Sequence, residues 1–237
     1  MTQHTLQGRC EDEVLWFQRR DFLQSAAAWL ALGGAGAAQA QARTNVVSSA
    51  GDVLINGKKL LTGQPIAAGD AIATGTKSNL VVVMGSSAFQ VRPNTKLVFD
   101  GAVSTQIVNT LRLINGAVVS VWGKGDARRI VTPTLVAGIR GTGVYTEVLA
   151  EQDNRSYFCT CYGTVELTSG QDKITSTTDH HAAFWGEAKP QGGKSLTPGQ
   201  MLNHTDDELE YLAQLVGQKT AWQLPAYKQR KEIDQSY

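Results

Sequence analysis

Residues 51–57 read Gly51-Asp52-Val53-Leu54-Ile55-Asn56-Gly57, a glycine followed by a short β-branched run and then a dipeptide that supplies the positive φ angles of a tight hairpin. The same pattern returns along the chain. Asn79-Leu80-Val81-Val82-Val83-Met84 and Gly116-Ala117-Val118-Val119-Ser120-Val121 are further short runs of strand-forming residues, and Gly-x-Val recurs at Gly51, Gly116 and Gly163. Asn115-Gly116 predicts a second hairpin, and Gly69-Asp70, Arg92-Pro93-Asn94 and Asp100-Gly101 read as turns. No helical face precedes residue 205. Strands at this spacing, without intervening helices, predict an all-β domain: an antiparallel sandwich or roll over residues 43–170.

Composition narrows the function. Of 237 residues 42% are hydrophobic and 18% charged, an ordinary folded chain. The 22 basic residues nearly cancel the 21 acidic ones, so a nucleic-acid partner is not expected. Three cysteines are too few for a disulfide-built scaffold, and no apolar run approaches the roughly 18–20 residues that span a bilayer.

Both ends carry signals. Thr205-Asp206-Asp207-Glu208 has capping-box spacing, and Leu209, Leu212, Leu215 and Val216 form one apolar stripe that Gly217 stops. A short amphipathic helix over 205–217 is expected to dock on the β domain, with the acidic pair Asp206 and Asp207 as structural groups of its first turn and a polar tail after it. At the other end, Arg19-Arg20-Asp21-Phe22-Leu23 precedes a weakly apolar Ala/Gly stretch and the small-x-small triplet Ala40-Gln41-Ala42. This arrangement resembles a twin-arginine export signal with cleavage after Ala42, so residues 1–42 are expected to be an address and the mature protein to be periplasmic.

Four ordered motifs carry a further resemblance: Gly63-Gln64-Pro65-Ile66-Ala67-Ala68-Gly69-Asp70-Ala71-Ile72-Ala73-Thr74, Val91-Arg92-Pro93-Asn94-Thr95-Lys96-Leu97, Leu113-Ile114-Asn115-Gly116-Ala117-Val118 and Val131-Thr132-Pro133-Thr134-Leu135-Val136-Ala137-Gly138-Ile139-Arg140-Gly141-Thr142. Together they resemble the FecR domain family over about residues 46–170. The resemblance implies a periplasmic all-β module; the best-known members relay receptor occupancy to a sigma factor in iron-siderophore uptake. Those regulators have a sigma-binding segment and one membrane span, and the 18 residues before the twin-arginine region are short for such a segment. The expectation is therefore a non-enzymatic envelope recognition or sensing module, with an envelope protein or cell-surface ligand as partner. The alternatives are a periplasmic metal-binding or redox protein and a membrane-tethered regulator of a sigma factor.

Glycine-rich stretches do not supply catalytic chemistry. Gly138-Ile139-Arg140-Gly141-Thr142-Gly143 leads into a strand where a phosphate loop needs a helix, and reads as a turn with Arg140 in a structural hydrogen-bonding role. Gly192-Gly193-Lys194-Ser195 reads as a loop. One constellation is harder to dismiss. Cys159, Cys161, His180, His181 and His204 are all the cysteines and histidines beyond residue 42, and they fall within 46 residues. On a strand Cys159 and Cys161 face the same side, and soft thiolates with imidazoles suit zinc or copper. Adjacent histidines on a strand point to opposite faces, and cysteine is also a small core hydrophobe, so inert thiols, a metal site and a redox pair all stand open. The segment 171–237 is expected to carry the histidines on a loop after Lys173 and on the helix approach.

Overall fold

The computed structural model describes residues 5–14, 44–101, 107–125 and 127–225. Arg19, Arg20, Ala42 and the tail from Tyr227 lie outside these residues. The architecture is the expected all-β one; among the described residues the strands pair antiparallel with one parallel exception, beside an isolated parallel bridge between Thr5 and Leu202. The strands are β1 (Val46–Ala50), β2 (Val53–Ile55), β3 (Lys58–Lys59), β4 (Ala71–Thr74), β5 (Asn79–Met84), β6 (Ser87–Val91), β7 (Lys96–Asp100) and β8 (Thr110–Val121). They continue as β9 (Arg128–Val131), β10 (Val136–Leu149), β11 (Arg155–Ser169), β12 (Asp172–Thr178), β13 (Ala182–Gln191) and β14 (Lys194–Gly199). Among the described residues two α-helices accompany them, α1 (Glu11–Val14) and α2 (Asp206–Leu215), and no helix there is long and apolar enough to cross a membrane.

The strand order is β14-β13-β11-β10-β9-β8-β7-β4-β2-β3, with β12 beside β11 and the series β6-β5-β1 continuing from β8. Long strands make this possible by serving two neighbourhoods each. The first half of β8 pairs with β7, and its second half, from Gly116, pairs with β10 and β6. Asn115-Gly116 is therefore not a hairpin but a bend in a continuing strand. Gly116 holds φ +82°, and a Cβ there would lie 2.5 Å from Thr95 Cα, so only glycine lets the strand turn past Thr95. The predicted hairpin at Asn56-Gly57 does form, joining β2 to β3 with both residues at positive φ.

Of two other glycine motifs, one resolves differently from its sequence reading and one as the expected connection. Gly138–Gly143 lies within β10, where the register with β11 shifts between Arg140 and Gly143: the motif is a bulge, not a turn. Arg140 is largely exposed there and pairs with Glu166 at 3.2 Å. Gly192-Gly193 is the two-residue turn joining β13 to β14. The boundary expected at residue 170 falls in the turn between β11 and β12, and the sheet runs on through three more strands to Gly199.

Two cores flank the central strands. Leu80, Val82, Phe89, Val91, Val118 and Phe158 belong to the main one, inside the folded sheet. Their neighbours Val81, Ala88, Ala117, Val119, Cys159 and Cys161 face the opposite side and pack with Leu209, Leu212, Ala213 and Leu215 of α2. The central strands are thus apolar on both faces, which explains the unbroken run Leu80–Val83. The helix docks as expected, with Thr205 and Glu208 closing a reciprocal capping box.

Candidate metal centre

The site begins with Cys159 and Cys161 on one face of β11, both fully buried under the α2 layer and both free thiols. Their strand is met along one edge by β12 and then by β13. Residues 179–181 are the offset between those two strands, not part of either. There the His181 amide donates to the Cys161 carbonyl at 2.9 Å, and His181 takes a left-handed φ of 44°. The irregular backbone removes the strand rule that would send adjacent histidines to opposite faces. Both His180 and His181 now reach the same carboxylate, Asp206.

His204 arrives from the segment after β14. The hydroxyl of Tyr157 donates to the Gln200 carbonyl at 2.7 Å and accepts from the Leu202 amide at 3.0 Å, which fixes that segment against β11. Tyr145, opposite Cys159 on β10, stacks its ring on His204 at 4.7 Å and 15°. His204 is fully buried.

Four potential ligand atoms converge, each within 4.8 Å of every other: the Sγ atoms of Cys159 and Cys161 and one nitrogen each of His181 and His204. Cys159 Sγ is 3.5 Å from His181 Nδ1, Cys161 Sγ is 3.4 Å from His204 Nε2, and the two nitrogens are 3.3 Å apart. A tetrahedron with zinc–nitrogen bonds of about 2.05 Å and zinc–sulfur bonds of about 2.3 Å has N–N edges of about 3.3 Å and N–S edges of about 3.6 Å. These three of the six separations match those edges.

The remaining imidazole nitrogens are held as a ligand site requires. His204 Nδ1 lies 2.6 Å from the Leu202 carbonyl, which can only accept, so Nδ1 carries a hydrogen and Nε2 is the nitrogen turned to the sulfurs. His181 Nε2 lies 2.7 Å from Asp206 Oδ1, which leaves Nδ1 facing the sulfurs. Such outer partners orient metal-binding histidines and raise their basicity.

Electrostatics of the metal-free site follow from the same contacts. Burial opposes the Cys159 thiolate, but hydrogen bonding from Cys161, the charge of His204 and contact with His181 outweigh it and hold the thiol well below its ordinary range. Burial and the neighbouring Cys159 push Cys161 well above. His181 is pulled down by burial but lifted more by Asp206 and Cys159, to about 9. The desolvation of Asp206 is outweighed by His180 and His181, which hold its carboxyl far below the usual range. The free site thus favours one thiolate beside one imidazolium, and a cation would replace the shared protons.

Of the five residues expected from sequence, four converge. His180 does not join them: its Nε2 is spent on Asp206 at 3.0 Å, and its ring lies edge-on to Trp222 at 5.1 Å. Asp206 lies in the first turn of α2 as expected from sequence, and it is also the partner of both histidines. The histidines sit on a strand offset after β12, not on the loop expected from Lys173 onward.

No family model matches the chain, and no curated protein matches it in sequence. Among solved structures it is similar to two crystal structures of a proposed anti-sigma factor from Parabacteroides distasonis ATCC 8503, each at 7% identity and a TM-score of 0.45. The match covers 56% of this chain, which spans about 60% of the length of those structures.

Proposed function

We propose that the chain is an exported, FecR-like envelope module, closed by one tetrahedral zinc ion and acting in recognition or sensing and not in catalysis. The observation that carries the metal reading is the match of three ligand-atom separations to tetrahedral edges, with both imidazoles held through their other nitrogen. Zinc is favoured over copper(I) by charge: two thiolates neutralise a divalent ion, whereas a monovalent one leaves a net negative charge buried. The ion would join β11, the β12–β13 offset and the approach to α2. Its role would be structural, because four protein ligands leave no open position for substrate.

Cys159, His181 and Asp206 also stand in the order of a thiol, an imidazole and a carboxylate. A nucleophilic role is disfavoured because Cys159 has no exposed surface, so no substrate carbonyl can reach its sulfur. Export is supported by Arg19-Arg20 and the Ala40-Gln41-Ala42 triplet. A folded-export route suits a thiolate site, since the ligands must be reduced when the metal enters. The FecR motifs and the all-β fold support the module assignment.

Cobalt(II) substitution tests the site. The expected spectrum has intense visible bands of a tetrahedral centre with thiolate charge transfer in the near ultraviolet. A weak octahedral spectrum would reject it.

A further inference from the structure

Beyond His204, away from the sulfurs, lies a second polar cluster that the metal reading does not use. Its centre is Glu147 on β10, nearly buried. One carboxylate oxygen accepts from the Tyr145 hydroxyl at 2.7 Å and from the Asn203 side-chain amide at 2.9 Å. The other accepts from Arg9 Nε at 2.7 Å. Tyr145 and Asn203 are neutral, so among the described residues Arg9 is the one cation paired with this carboxylate.

Residues 5–14 lie in a groove built around that pair. Thr5 bridges Leu202 in parallel, and the Asn203 amide nitrogen donates to the Thr5 carbonyl at 2.9 Å. The Asn203 side chain then pairs with both backbone groups of Gln7, accepting from its N–H at 2.7 Å and donating to its carbonyl at 2.8 Å. These contacts hold the backbone at Gln7, just before the bend at Gly8 (φ +72°), and read no particular side chain. Two residues on, Arg9 enters the Glu147 pocket, where only 8% of its side chain remains exposed. Arg92 donates to the Glu13 carbonyl, and Val14 is buried at the end of the segment. Arg92 also has partners outside the segment: Glu208 at 2.6 Å and the Asn203 carbonyl at 3.1 Å.

We propose that this groove is a binding site for an arginine-bearing protein segment that bends at a glycine just before the arginine, as the chain's own residues 5–14 do in filling it in cis. Asn203 supplies backbone recognition and Glu147 selects the arginine two residues further along. A protein that presents such a segment in trans would occupy the groove wherever residues 5–14 are absent. The cis segment has the advantage of effective concentration. A buried carboxylate with one cationic partner gives the pocket its preference for guanidinium over a neutral side chain.

The test uses the full chain with a specific protease site inserted between Phe17 and Gln18 and a fluorophore at the N-terminus. The intact protein is purified, cut, and diluted while anisotropy follows the labelled segment. The expected result is that the cut segment stays bound, is displaced by unlabelled synthetic peptide of residues 1–17, and is displaced at least tenfold more weakly by the same peptide carrying Arg9→Ala. The segment with and without Arg9→Ala is compared as synthetic peptide 1–17 competing for the same cut, unsubstituted protein, so loss of binding cannot be a folding failure. Complete release of the segment on cutting, or equal competition by the Arg9→Ala peptide, would overturn the proposal.

Discussion

His181 Nε2 lies 2.7 Å from Asp206 Oδ1, joining the offset between β12 and β13 to the first turn of α2. This contact turns His181 Nδ1 toward the sulfurs, so in the proposed metal site Asp206 would orient a ligand without touching the ion. Asp206→Asn keeps the shape but can present an amide N–H where His181 needs an acceptor. Zinc affinity is expected to fall about 10–100-fold with the fold retained, as outer-shell substitutions do. Competition with a chromogenic chelator measures it, and an unchanged affinity would remove Asp206 from the site.

Helix α2 closes the second core, and Leu212 at its centre is fully buried. Leu212→Ala is expected to cost about 2–5 kcal/mol and Leu212→Asp more, because a charge would be buried without a partner. Denaturant unfolding of the metal-loaded protein checks this. A loss below about 1 kcal/mol would mean that the stripe is not packed.

Gly116→Ala tests the bend in β8. The substitution forces a non-glycine residue to φ +82° and drives its Cβ into Thr95, so a loss of about 2 kcal/mol or more is expected. Gly192→Ala, also at positive φ but with nothing within 4 Å of the added Cβ, is expected to cost less. Comparing their unfolding midpoints separates the close approach from the backbone conformation.

The strands, the helix cap and the Asn56-Gly57 hairpin were legible because each is a local signal: β-branched runs, a capping box, a dipeptide with positive φ. Asn115-Gly116 was misread because the same dipeptide serves equally for a turn and for a bend within a long strand. What decides between them is Thr95, distant in sequence. Cys159 and Cys161 could be placed on one face from their spacing alone. The exclusion of His180 and the recruitment of Asp206 could not, since both follow from an irregular backbone at residues 179–181. Glu147, Tyr145 and Asn203 carried no sequence signal, because their roles come from cross-strand register and from a segment almost 200 residues away.

Acid should empty the metal site. Imidazole and thiolate ligands compete with protons, and in the metal-free site His181 is lifted to about 9 and Cys161 lies above its ordinary range, so protons already compete at neutral pH and zinc is expected to leave progressively as pH falls further. The released form should unfold at lower temperature, because an ion bound to the native state alone stabilises it. Retention of full metal content at about pH 4 would argue against histidine ligation.

The central claim is that Cys159, Cys161, His181 and His204 hold one metal ion. Elemental analysis of untagged, metal-replete protein, combined with thiol titration before and after chelation, tests it most directly. The account predicts one zinc per chain, with Cys159 and Cys161 resistant to alkylation until zinc is removed and with stoichiometry lost in a Cys159→Ser/Cys161→Ser variant. Absence of stoichiometric metal after loading, together with alkylation of both thiols that chelator does not change, would contradict it.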